Sequence, residues 1–205
     1  MVFVFALTIP IYSGIADDRS IAASSAFNDI GINRSKKGDL DGALKEFDRA
    51  IKLNPNNVEA YNNRAIALMK KKDFDEAIAD FTRAITINPN IDRFYFNRAI
   101  ARKGIKDYKG AVSDYNQAIK LNPRNDHAFN NLGNAKKING DLEGALSDFN
   151  RAIELNPGNF DAYFNRSQIR KEKGDLTGSK ADLDKYVELK KEFDLRMQKS
   201  GLTRK

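Results

Sequence analysis

Apolar positions recur along this chain with two superposed periods. Over short windows they fall three and four residues apart, as in Ala43, Phe47, Ala50 and Ile51, the spacing of one buried face of a helix. Over longer distances the whole pattern returns every 34 residues, marked by Pro55, Pro89, Pro123 and Pro157. These markers divide the chain into five units: 24–57, 58–91, 92–125, 126–159 and 160–193. Position 20 of the unit reads Ala43, Ala77, Ala111, Ala145 and Ser179. Position 24 reads Phe47, Phe81, Tyr115, Phe149 and Leu183, and position 27 reads Ala50, Ala84, Ala118, Ala152 and Tyr186. Position 4 is aromatic throughout: Phe27, Tyr61, Tyr95, Phe129 and Tyr163. Each unit therefore reads as two helices joined by a turn, with alanines where helices approach closely and aromatics filling the space beside them.

The starts and stops agree with this division. An aspartate precedes every second helix (Asp39, Asp73, Asp107, Asp141, Asp175), where its carboxylate accepts from free N–H groups. Glu76 lies three residues after Asp73, so a capping box is expected in the second unit. The Asn-Pro pair ends that helix, because the residue before proline avoids the α region. The fifth unit has Lys191 in place of the proline, so its second helix is free to run on through the charged stretch that follows. A polar end of this kind suits the terminal cap that a stacked array requires.

Helical pairs of 34 residues with aromatic, small and proline positions in this order resemble tetratricopeptide repeats, over residues 24–193. The resemblance implies an all-α, right-handed α-solenoid of helix–turn–helix repeats with a C-terminal capping helix. It leaves 1–16 as an apolar N-terminal segment, 17–23 as a linker and 194–205 as a basic cap or tail. Some positions depart from the family. Position 11, often aromatic there, is Arg34, Leu68, Arg102, Lys136 and Arg170 here. Position 7 is Arg64, Arg98 and Arg166 in three units, which also carry Asp80, Asp114 and Asp182 at position 23. Either an ion pair inside the unit or loose surface pairing would follow from that spacing.

Composition narrows the function. There is no cysteine, which removes thiol nucleophiles, thiolate metal sites and disulfides together. The single histidine, His127, has no partners for a triad or a metal site, and the glycines of the inter-helix turns match no phosphate-cradling loop. No enzyme, metal or cofactor is expected. The net charge of +7 biases toward acidic partners, although charges of both signs alternate along most of the chain. The first sixteen residues carry no charged side chain, and Gly14 and Ala16 are placed as in a small-x-small cleavage site. They read as a secretory signal lacking its basic start, which implies export; a cytoplasmic protein with an apolar strip packed on the first repeat is the alternative. The run is too short, and too interrupted by Pro10, for an integral membrane span.

In the family the first helix of each pair lines a concave groove. At unit position 6 this chain has Asp29, Asn63, Asn97, Asn131 and Asn165. A row of side-chain amides both donates and accepts, so it can hold a peptide backbone without reading its side chains. The row resembles the asparagine ladder of the family's O-linked N-acetylglucosamine transferase, and it breaks at Asp29. Lys103, Lys137 and Lys171 at position 12, with Arg93 at position 2, favour an acidic segment. The family's two-carboxylate clamp is incomplete: Asn63 and Arg93 match it, whereas Asn28, Ile32 and Asn97 stand where lysine, asparagine and arginine belong. The expected function is a non-enzymatic adaptor or scaffold that binds an extended protein segment. A self-assembling homo-oligomer is the alternative. Nucleic-acid binding is disfavoured, because the groove has too few aromatics for a row of stacked bases.

Overall fold

The computed structural model describes residues 17–200, and among these it is entirely helical. The helices are α1 (Asp18–Lys36), α2 (Leu40–Leu53), α3 (Val58–Lys71), α4 (Phe74–Ile87), α5 (Asp92–Gly104), α6 (Tyr108–Leu121), α7 (Asp126–Ile138), α8 (Leu142–Leu155), α9 (Phe160–Glu172) and α10 (Leu176–Lys199). Each odd-numbered helix packs on the even one after it, and each even helix packs on the next odd one. The expected linker at 17–23 is instead the start of α1, because Asp17 accepts from the Ser20 N–H and caps the helix there. The signal-like segment lies outside the described residues. None of the described helices is long and apolar enough to cross a membrane.

Local chemistry sets the helix ends. Asp39, Asp107, Asp141 and Asp175 each accept a hydrogen bond from a glycine N–H three residues on: Gly42, Gly110, Gly144 and Gly178. A Cβ at any of these glycines would collide with the capping carboxylate. The second unit shows the consequence. Its third helical position is Glu76 rather than glycine, and Asp73 makes no side-chain cap bond. The capping box expected from Asp73 and Glu76 is therefore not formed. At the other end, Asn54 is extended (φ −136°, ψ 95°), as the following proline demands. Its side-chain oxygen also accepts from the Asn56 N–H, and Asn88, Asn122 and Asn156 do the same two residues on.

Between the helices of a pair, one residue takes a left-handed conformation. It is glycine in three units, Gly38, Gly140 and Gly174, but Lys72 (φ 70°) and Lys106 (φ 64°) in the other two. A Cβ is disfavoured there by about 1 kcal/mol. Lys72→Gly is accordingly expected to raise stability by about 1 kcal/mol, read as an upward shift of the urea midpoint; an unchanged or lower midpoint would contradict the strain at this turn.

The core follows the 34-residue rows. Ala43, Ala77, Ala111 and Ala145 are fully buried, as are Ala50, Ala84, Ala118 and Ala152. Phe47, Phe81, Tyr115 and Phe149 lie between them. The Tyr115 hydroxyl is buried without a hydrogen-bond partner, and burial pushes its pKa up. In the last unit Tyr186 replaces the seam alanine, and its ring lies 5.1 Å from Phe164 and 6.2 Å from Phe160. With no proline, α10 continues and brings Phe193 to 5.5 Å from the same Phe160 ring. The stack is closed at that end by its own helix.

The arginine–aspartate pairs are two-pronged rather than loose. Arg98 reaches Asp114 through Nε (2.9 Å) and Nη2 (2.7 Å). Arg64–Asp80 and Arg166–Asp182 repeat the geometry at 2.6–2.9 Å. Each guanidinium also lies over the position-4 tyrosine of its own helix, 5.5–5.7 Å from the ring centre. Its remaining nitrogen crosses to the preceding unit, at Asp48, Thr82 and Asn150. Position 11, which departs from the family, completes the network. Arg102 joins Asp114 and Arg170 joins Asp182, both at 3.0 Å. Arg34 (3.6 Å) and Lys136 (2.7 Å) serve Glu46 and Asp148, where position 7 is Ile30 or Leu132. Every unit thus neutralises its buried acid. Burial raises the Asp148 pKa, with Lys136 opposing that shift, and the Asp80 hydrogen bonds raise that of Arg64.

Candidate functional site

Odd-numbered helices touch their odd-numbered successors in three of four cases: α1 with α3, α3 with α5 and α7 with α9. No even-numbered helix packs comparably on the next even one. The stack therefore curves with the odd helices on its shorter, inner side. Asn63, Asn97, Asn131 and Asn165 lie on α3, α5, α7 and α9, one per helix, and all four are half-buried.

These amides are engaged sideways. Asn63 Nδ2 donates to Asn28 Oδ1 (3.0 Å), Asn97 to Asn62 (3.2 Å) and Asn165 to Asn130 (3.0 Å). The acceptors sit at unit position 5, 35 residues earlier, and are nearly buried. Asn62 also donates to Asn63 Oδ1 at 3.3 Å. Asn97, Asn62, Asn63 and Asn28 thus form one run of amides in which each donates to the next. The run stops at the third unit, whose position 5 is Phe96 and offers no acceptor. Asn131 turns instead to the His127 carbonyl (2.9 Å) and accepts from Lys103 Nζ (3.1 Å). Among the described residues, each ladder amide keeps a second N–H unassigned, and Asn97 and Asn165 keep a free carbonyl oxygen as well. The position-5 asparagines orient the ladder; their 35-residue offset from it is the signal that sequence reading passed over.

The expected cations divide. Arg93 is exposed but pairs with Glu59 of the preceding unit, so it is not a free charge. Lys103 is half-buried, and burial lowers its pKa. Lys137 and Lys171 meet no carboxylate among the described residues. Two further lysines extend their row to the first repeats. Lys70 Nζ donates to Ser35 Oγ (3.3 Å), and Lys36 lies beside the same serine. The inner rim therefore carries one lysine per unit: Lys36, Lys70, Lys103, Lys137 and Lys171.

Family comparison agrees with this architecture. Tetratricopeptide repeat models match residues 58–91 with 127–159, residues 35–72 with 105–140, and residues 149–181, together more than half of the chain. The chain belongs to the tetratricopeptide repeat family. No curated protein sequence matches it. Among solved structures, this tetratricopeptide repeat protein is similar to a crystal structure of MamA, with 24% identity, 80% of this chain and 96% of that one covered, and a TM-score of 0.75. It is similar to YrrB, titled a TPR protein with an unusual peptide-binding site, at 21% identity, 90% and 94% coverage and a TM-score of 0.70. PilF of Pseudomonas aeruginosa follows at 16% identity, 83% and 78% coverage and a TM-score of 0.75. At these identities the likeness is one of fold.

Proposed function

We propose that this tetratricopeptide repeat protein is a non-enzymatic scaffold whose inner wall binds an extended, acidic segment of a partner protein. The observation that carries the reading is the half-exposed amide row on α3, α5, α7 and α9, in which Asn63, Asn97 and Asn165 are each held by a position-5 asparagine, flanked by the lysine rim. Helices in contact, as the odd-numbered neighbours on the inner side are, lie about 8–10 Å apart. An extended chain advances about 3.3 Å per residue, so one amide meets about every third backbone group. The family supports the scaffold reading, and YrrB supports it through the shared fold.

Peptides selected from a random sixteen-residue library on the immobilised protein provide the test. In fluorescence anisotropy, the Asn97→Ala/Asn131→Ala variant is expected to bind them about tenfold more weakly, as two hydrogen bonds of about 0.5–1.5 kcal/mol would predict. Its circular dichroism at 25 °C should match the parent. Undiminished affinity would place binding elsewhere.

A further inference from the structure

The inner wall is not uniform along its length. Between α1 and α3 it opens into a pocket of about 170 Å³, lined by Ile32, Ser35, Phe47, Asn63 and Ile66, with Lys36 and Lys70 at its edge. One small residue, Ser35, is among its lining. Position 12 is Ser35 in the first unit but the longer Met69, Lys103, Lys137 and Lys171 in the others. Position 9 changes in parallel, from Ile32, Ile66 and Ile100 to Asn134 and Gln168. At that position the wall is thus apolar in its first three repeats and polar in its last two.

The charge on the rim is uncompensated. The bases at position 11 each reach a carboxylate on the even helix of their own pair. Elsewhere on the odd-numbered helices, Lys36, Lys70, Lys137 and Lys171 reach none among the described residues, and Lys103 reaches only the Asn131 amide. Glu172 is the single carboxylate at the matching positions 12 and 13. The remaining acids at the groove positions precede the rim lysines of their helices, Asp29 by seven residues and Glu59 and Asp161 by at least two turns, and Glu59 is taken by Arg93.

We propose that the pocket between α1 and α3 is an anchor subsite for one aliphatic side chain of an extended partner segment whose carboxylates run along the lysine rim toward α9. The proposal rests on the wall binding an extended segment, and adds the side chain it selects and the end at which it does so. A cavity of about 150 Å³ holds one benzene-sized group, so a leucine or isoleucine side chain fits and a second does not. Asn63 lines the same pocket, so one amide of the row stands beside the anchored residue. Lys137 and Lys171 lie two to three units away. At about 3.3 Å per residue, that places carboxylates about six to nine residues from the anchor.

The sixteen-residue selection tests this directly. Enriched peptides are expected to carry an aliphatic residue about six to nine positions from an acidic run. Replacing that residue by asparagine in a synthetic peptide should weaken binding about tenfold, the worth of burying one such side chain. In Ser35→Phe, which fills the pocket, the same replacement should change affinity less than twofold. The peptide-side substitution decides the matter even if Ser35→Phe folds poorly. Peptides that lose affinity in Asn97→Ala/Asn131→Ala but are indifferent to the aliphatic residue would overturn the anchor and leave the wall standing. An absence of enriched peptides, or peptides indifferent to the asparagine pair, would overturn both.

Discussion

Phe81→Ala is expected to destabilise the protein by about 3–5 kcal/mol, the cost of deleting a fully buried aromatic side chain. Phe81 is wholly inaccessible and lies among Ala65, Ala77 and Ala101, with Ile66, Leu68, Met69, Phe74 and Ile78 around them. Three of these neighbours are alanines, which have no side chain to swing into the space left behind. The cavity would therefore persist instead of collapsing. Position matters as well as size. The cluster spans α3, α4 and α5, so it joins the second unit to the third. In a stacked array each unit is stabilised by its neighbours alone. Weakening this junction should separate the melting of units 1 and 2 from that of units 3 to 5. Urea denaturation followed by circular dichroism should show a lower midpoint and a broadened or two-step transition. A single transition at the parent midpoint would mean that the aromatic row does not hold the stack together.

Asp114→Ala is expected to cost about 3–5 kcal/mol, because it leaves buried cations without their counter-charge. The Asp114 side chain is 4% exposed, accepts two hydrogen bonds from Arg98 and forms an ion pair with Arg102. Arg98 is itself only 13% exposed and lies against Tyr95, so its guanidinium cannot turn to water without leaving that ring. A surface ion pair would be worth less than about 1 kcal/mol; burial is what raises the stake here. A cycle separates the two accounts. If the charge left behind is the cost, Arg98→Ala added to Asp114→Ala should be nearly neutral, although it is damaging alone. Additive losses would show that the pair is not coupled.

Much of this structure can be read from residue types and spacing. The helix boundaries follow from Asp39 and its counterparts, from the Asn-Pro pairs and from the turn glycines, because caps and backbone restrictions act within a few residues. The buried rows follow from the 34-residue period, because each unit meets the same surroundings as its neighbours. Local reading failed where a second local rule intervened. Asp73 lacks its cap because Glu76 stands where the other units have glycine. The segment 18–23 is helical because Asp17 caps it.

The wall was less accessible to that reading. Asn63, Asn97 and Asn165 form a row visible in the sequence, but their partners Asn28, Asn62 and Asn130 lie 35 residues away on a neighbouring odd-numbered helix. Arg93 reads as a free cation in the sequence, but Glu59 of the preceding unit pairs with it. Lys36 and Lys70 join the rim only through the way their helices are turned relative to Ser35.

By itself, then, the amino-acid order determined the number of helical pairs, their ends and the side chains they bury, because helix periodicity and capping are properties of short stretches. Tertiary packing alone decided which amides remain available, which lysines lack a counter-charge and where the wall opens. Those outcomes depend on the distance and rotation between one unit and the next, and no short stretch encodes them.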